Sequence, residues 1–118
     1  MEIYAMPIGE YVSPDRQLKF IVTCPNGDWT MGFDGSSAHT HGSVLAELSG
    51  LEEVTAVERY LADLIGNVSV IALRRVSGAL TDAWVTDNPA EEMLSWQKYG
   101  ASDETIEFRL WNGTAVKP

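Results

Sequence analysis

The chain of 118 residues has one cysteine, two histidines, and no apolar run long enough to enter a membrane. Each scarcity excludes something. Cys24 alone permits no intrachain disulfide, and a free thiol fits a reducing compartment. The longest apolar stretches, such as Val70 to Leu73, are a few residues long, whereas a spanning helix needs about 20. The N-terminus, Met1-Glu2-Ile3-Tyr4-Ala5-Met6-Pro7, lacks the basic region and apolar core of a secretion signal. The cytoplasm is therefore the expected location. Positive charge is also scarce: Lys and Arg total 8 against 17 Asp and Glu, a formal net charge of −9. That balance argues against a nucleic-acid binder working by phosphate neutralisation and against docking on anionic lipid. No glycine-rich phosphate loop is present, because Gly32, Gly35 and Gly42 lack the spacing and the strand-to-helix context.

What remains is the material of a globular domain. Hydrophobic residues make up 45% of the chain, enough apolar side chain to offset chain entropy and to exclude disorder. The length fits one domain spanning 1–118. Residues 1–16, with Pro7, Gly9 and Pro14, read as an irregular arm, with room for a short edge strand at Met1 to Met6. Leu18, Phe20 and Val22 alternate with Lys19, Ile21 and Thr23, and Trp29, Met31 and Phe33 alternate with Thr30, Gly32 and Asp34. A period of two marks strands. Asn26-Gly27 between them is a hairpin signal, since both central residues of a type I′ turn need positive φ. The hairpin is expected over 17–24 and 28–34.

Residues 35–43 read as a loop, and Ser43 to Leu48 as one or two helical turns. Ser49 and Glu52 have capping-box spacing. Val54, Val57, Leu61, Leu64 and Ile65 then form one apolar stripe, which predicts an amphipathic helix over 51–65. Val68 to Val76 is a β-branched run of the kind buried on both faces of a sheet. Ser77-Gly78 turns the chain into a second strand, Ala79 to Thr86. Asp87-Asn88-Pro89 combines a cap with proline at the first helical position, so a short helix is expected over 90–99. Ile106, Phe108 and Leu110 alternate with Glu107, Arg109 and Trp111, a half-buried strand that leaves Trp111 on the polar side. The order β-β-α-β-β-α-β predicts an α+β domain. Its expected form is a single antiparallel sheet of about five strands, with the long and the short helix packed on one face.

Few residues carry chemistry. His39 and His41 point the same way if the segment is extended, so both imidazoles meet one ion, with Asp34 or Cys24 as a third ligand. A defined zinc site wants three or four ligands, and the sequence specifies two. Two polar histidines in a Gly/Ser-rich loop is the stronger reading. Cys24 shares the parity of Leu18, Phe20 and Val22, which favours an inert, buried thiol over a nucleophile. Glu52-Glu53 and Glu91-Glu92 stand at helix starts, where the dipole favours negative charge, rather than facing each other across a cleft. Arg74 and Arg75 face opposite sides of a strand, and an ion pair with Asp82 is expected for one of them. No catalytic set, metal or cofactor is therefore expected.

Surface character remains. Acids gather at Glu52 to Asp63, Asp87 to Glu92 and Asp103 to Glu107. The last two groups flank the short helix with Met93, Leu94, Trp96 and Tyr99. Aromatic side chains supply binding area and carboxylates supply steering toward a basic partner. The partner-binding residues expected from this pattern are Asp87, Glu91, Glu92, Trp96 and Trp111. The stretches Asn26-Gly27-Asp28-Trp29, His39-Thr40-His41-Gly42 and Trp84-Val85-Thr86-Asp87 look like signature segments. In overall character, as a small acidic α+β domain without a catalytic constellation, the chain resembles the immunity proteins of bacterial toxin systems. That resemblance implies an inhibitor that covers a basic toxin, often a nuclease, by protein–protein contact. Two other readings are a small metal-dependent or enzymatic domain using His39 and His41, and an interaction subunit pairing through sheet edges as a homodimer.

Overall fold

A computed structural model describes residues 8–118; the edge strand expected at Met1 to Met6 lies outside the described residues. The first sheet is an antiparallel meander of β1 (Gly9–Val12), β2 (Lys19–Thr23), β3 (Thr30–Phe33) and β4 (His39–His41), in that spatial order. Its centre is the expected hairpin. The turn at Pro25–Gly27 holds Asn26 at φ 54° and Gly27 at φ 79°, the two positive values that the Asn-Gly pair signals. Phe20 lies opposite Phe33 and Val22 opposite Met31. All four are buried, and the two phenyl rings meet edge to face with centroids 5.0 Å apart.

Two helices follow. α1 (Gly42–Ser49) ends at Gly50, φ 74°, and α2 (Glu53–Ile65) buries Ala56, Val57, Leu61 and Leu64. The capping box expected at Ser49 does not form. The Ser49 hydroxyl donates to the Leu45 carbonyl at 2.7 Å and accepts from the Leu51 N–H at 3.2 Å, so Ser49 closes α1 instead of opening α2. The second sheet contains β5 (Val70–Val76), β6 (Ala79–Thr86) and β7 (Glu104–Arg109), with β5 in the middle. Ile71, Ala72 and Leu73 are buried in succession, as a strand covered on both faces requires. Between β6 and β7 lies α3 (Pro89–Tyr99), capped by the Asn88 side chain, which accepts the Glu91 N–H at 3.1 Å.

The α+β class holds, but the described strands form two antiparallel sheets of four and three strands, not one of about five. The reason lies in segments with little apolar periodicity. Gly9–Val12 and His39–His41 extend the first hairpin on both sides, so that hairpin builds a sheet of its own. The two sheets share one core with α2: Phe20, Met31 and Phe33 meet Val57 and Leu64, then Ile71, Leu73 and Trp111. The Ser36 hydroxyl joins the sheets directly by bonding to the side chain of Asp82 and the main chain of Ala83.

The end of β7 departs from its expected pattern. After Arg109 the chain turns, with the Gly113 N–H donating to the Leu110 carbonyl at 3.0 Å. Strand parity no longer applies there, and Trp111 falls into the core at 4% exposure. Arg109 is also buried. It donates twice to Asp15, at 2.7 and 3.2 Å, and to the carbonyls of Leu110 and Trp111. These bonds hold the Asp15 carboxyl well below its usual range. Arg74 stands across from Asp82 in the register yet pairs with Glu104 on β7 at 2.7 Å, and Arg75 pairs with Glu107. Asp82 is committed to Ser36 instead. Among the described residues, no helix is long and apolar enough to cross a membrane.

Candidate functional site

Two features of the surface meet at the end of β6. The first is α3. Pro89, Glu92, Met93 and Trp96, spaced as one helical stripe, are the half-buried positions, and no residue of the helix is fully buried. Leu94, on the side away from that stripe, is 66% exposed, and Tyr99, the last residue of the helix, is 76% exposed. The Lys98 ammonium lies 5.4 Å from the centre of the Tyr99 ring.

The expected binding residues divide between these sides. Asp87, just past β6, and Glu91, in the first turn of α3, are exposed. Neither has an ionic partner among the described residues. Glu92 faces inward and accepts the indole N–H of Trp84, which ties α3 to β6. Trp96 also faces inward. Its indole N–H is buried without a partner among the described residues, and its ring passes so close to Gly100 that a Cβ there would lie 2.5 Å from Trp96 Cδ1. Trp111 leaves the set altogether, because a core side chain presents no surface. Leu94 and Tyr99 are the large apolar side chains that α3 leaves exposed. The sequence held the signal for Leu94, which lies off the stripe through Pro89, Met93 and Trp96, whereas Tyr99 follows Trp96 by three positions and is exposed because it ends the helix.

The second feature is a cleft of about 370 Å³ between the two sheets. Its lining includes Phe20, Met31, Phe33 and Tyr60, with His39 and Thr40 of β4 on one side and Trp84, Val85 and Asp87 on the other. No Lys or Arg lines it. Burial pushes the Tyr60 hydroxyl up to about 12, helped by the Asp87 carboxylate. The phenol is therefore neutral throughout the physiological range and can donate a hydrogen bond.

His39 sits at the edge of this cleft. His39 and His41 share one side of β4, as expected, with ring centroids 5.0 Å apart. His41 Nδ1 lies 3.3 Å from both Asp28 Oδ1 and Thr30 Oγ1, and His39 Nδ1 lies 3.3 Å from the Ser37 carbonyl. No group of three or more metal-ligating side chains occurs among the described residues, so neither Asp34 nor Cys24 completes a site. Cys24 is half-buried against the core. No protein-family model, curated protein or solved structure matches the chain.

Proposed function

We propose that this chain is a protein-binding domain that neutralises a basic partner in the cytoplasm, in the manner of the bacterial immunity proteins. The observation that carries the reading is the outer side of α3. An eleven-residue helix buries none of its side chains fully, leaves Leu94 exposed one turn from Glu91, and leaves Tyr99 exposed at its far end. Carboxylates steer a basic protein into place, and exposed apolar and aromatic side chains supply the desolvated contact. The charge balance supports this. Lys19, Arg74, Arg75 and Arg109 are already paired with Glu10, Glu104, Glu107 and Asp15, so they do little to neutralise Asp87 and Glu91.

The test is capture by the immobilised full chain from a lysate of the organism that encodes it, followed by an assay of the captured protein's own activity. The reading expects a stoichiometric basic protein whose activity is suppressed, and whose association slows as salt is raised while dissociation changes little. A chain carrying Glu91→Lys and Leu94→Ala should fail to retain it. Capture unaffected by those substitutions, or a partner whose activity is untouched, would contradict the proposal.

A further inference from the structure

We propose that the cleft between β4 and β6 receives an extended, basic segment of the protein partner, which pairs with the outer edge of β6 as an added strand. This rests on the partner-binding reading and specifies how part of that partner is held.

The argument begins with the direction of main-chain groups. In an antiparallel pair, successive residues turn their N–H and C=O alternately toward and away from the neighbouring strand. The Ala83 N–H and C=O both bond to the Ser36 hydroxyl, at 3.3 and 3.0 Å, so they point away from β5. The register is unbroken from Leu73↔Ala83 to Val70↔Thr86, which makes Val85 point away from β5 too. On the other wall, the Gly42 N–H donates to the Trp29 carbonyl at 2.9 Å, one step beyond the Thr30↔His41 pair. His41 and His39 therefore turn their main-chain groups away from β3. Val85 and His39 both line the cleft, and the outward groups of Val85 have no partner among the described residues. Such an open sheet edge is a template for another strand.

The chemistry of the occupant follows from what surrounds that edge. The floor is aromatic, with Phe20, Phe33 and Tyr60, so a strand laid along Val85 buries alternate side chains there. Asp87, without an ionic partner, closes one end, and no Lys or Arg lines the cleft to compete for it. Ser36 blocks the edge at the other end. An entering segment thus bonds through its backbone at Val85, buries an apolar residue and sets a Lys or Arg against Asp87. Backbone pairing provides affinity in this mode and side-chain positions provide selectivity.

The experiment selects short peptides of random sequence on the full chain and follows the strongest binder by amide chemical shifts. The expected binder alternates apolar residues with Lys or Arg, shifts the Val85 and His39 amides and leaves Leu94 unaffected. Val85→Pro removes the outward N–H without taking a ladder bond from β5, and should weaken binding by roughly tenfold. Amide protection of β5 checks that this variant folds, and Asp87→Lys, at an exposed position, gives a second test that does not depend on it. No enriched peptide, or one that binds both variants as tightly as the parent, would overturn the proposal. So would a peptide-free chain whose mass doubles with concentration and whose Val85 amide shifts as it does, since a second copy would then hold the edge. If the captured partner is lost by the α3 variant but kept by Val85→Pro, strand addition fails and the partner reading stands. If peptides bind at Val85 but no partner is neutralised, the reverse holds.

Discussion

Replacing Asp15 with alanine tests the link between the N-terminal turn and the end of β7. Asp15 accepts from Ser13 Oγ at 2.7 Å, the Gln17 N–H at 3.2 Å, and Arg109 Nη1 and Nη2 at 2.7 and 3.2 Å. The Arg109 side chain is 10% exposed and that of Asp15 36%. Stranding a fully buried charge costs about 3–5 kcal/mol, and losing an exposed pair costs at most about 1 kcal/mol. Arg109 keeps two carbonyl acceptors, and water reaches the vacated side. The expected loss for Asp15→Ala is therefore about 2 kcal/mol, between those limits. Urea unfolding at neutral pH measures it. The pH dependence supplies an independent reading. The folded Asp15 pKa lies below the unfolded value of 3.8, so the pair's contribution is complete above about pH 5 and declines as the carboxylate protonates at lower pH. The parent should lose stability in acid more steeply than Asp15→Ala. A loss below about 0.5 kcal/mol, the range of ordinary surface substitutions, or identical acid profiles, would refute the reasoning.

Gly42→Ala should destabilise by about 1–3 kcal/mol, because a Cβ at Gly42 would lie 2.7 Å from Trp29 Cβ, 2.9 Å from Glu53 Cγ and 3.1 Å from Val57 Cγ2; an unchanged urea midpoint would contradict that packing. Tyr60 titrates near 12 folded against 10.0 for the free side chain. The unfolded state thus releases its proton first, and stability should fall as pH rises through that window. Tyr60→Phe should flatten the alkaline fall, and an unaltered profile would place the hydroxyl in water. Zinc should leave the thermal midpoint unchanged, since His39 and His41 have no third ligand among the described residues. A zinc-induced rise that His39→Ala abolishes would favour the metal reading instead.

How far the sequence reveals this molecule depends on whether local pattern and tertiary contact agree. Along 17–24 and 28–34 they do: alternation, Asn26-Gly27 and the buried Phe20, Val22, Met31 and Phe33 all indicate one hairpin. The Asn88 cap and Pro89 likewise start α3 where expected. Disagreement arises where long-range contact decides. Gly9–Val12 and His39–His41 are strands because β2 and β3 offer open edges, not because their own residues alternate in hydrophobicity. That hidden pairing is why two sheets were legible only as one. Trp111 follows strand parity in the sequence, but the turn at Leu110 to Gly113 removes the condition on which parity depends. The candidate site was half legible. Asp87 and Glu91 were visible as acids at a helix start, whereas the cleft and the outward turn of Val85 depend on how two sheets approach each other.

The most direct measurement for the account as a whole is the equilibrium affinity of the captured basic partner for the parent chain and for a variant carrying Leu94→Ala and Tyr99→Ala. Both side chains are exposed, so the fold should survive the change. The account predicts that the variant binds at least about tenfold more weakly, as expected when side chains that carry binding energy are truncated. Equal affinity of the two chains would show that the outer side of α3 is not the contact surface.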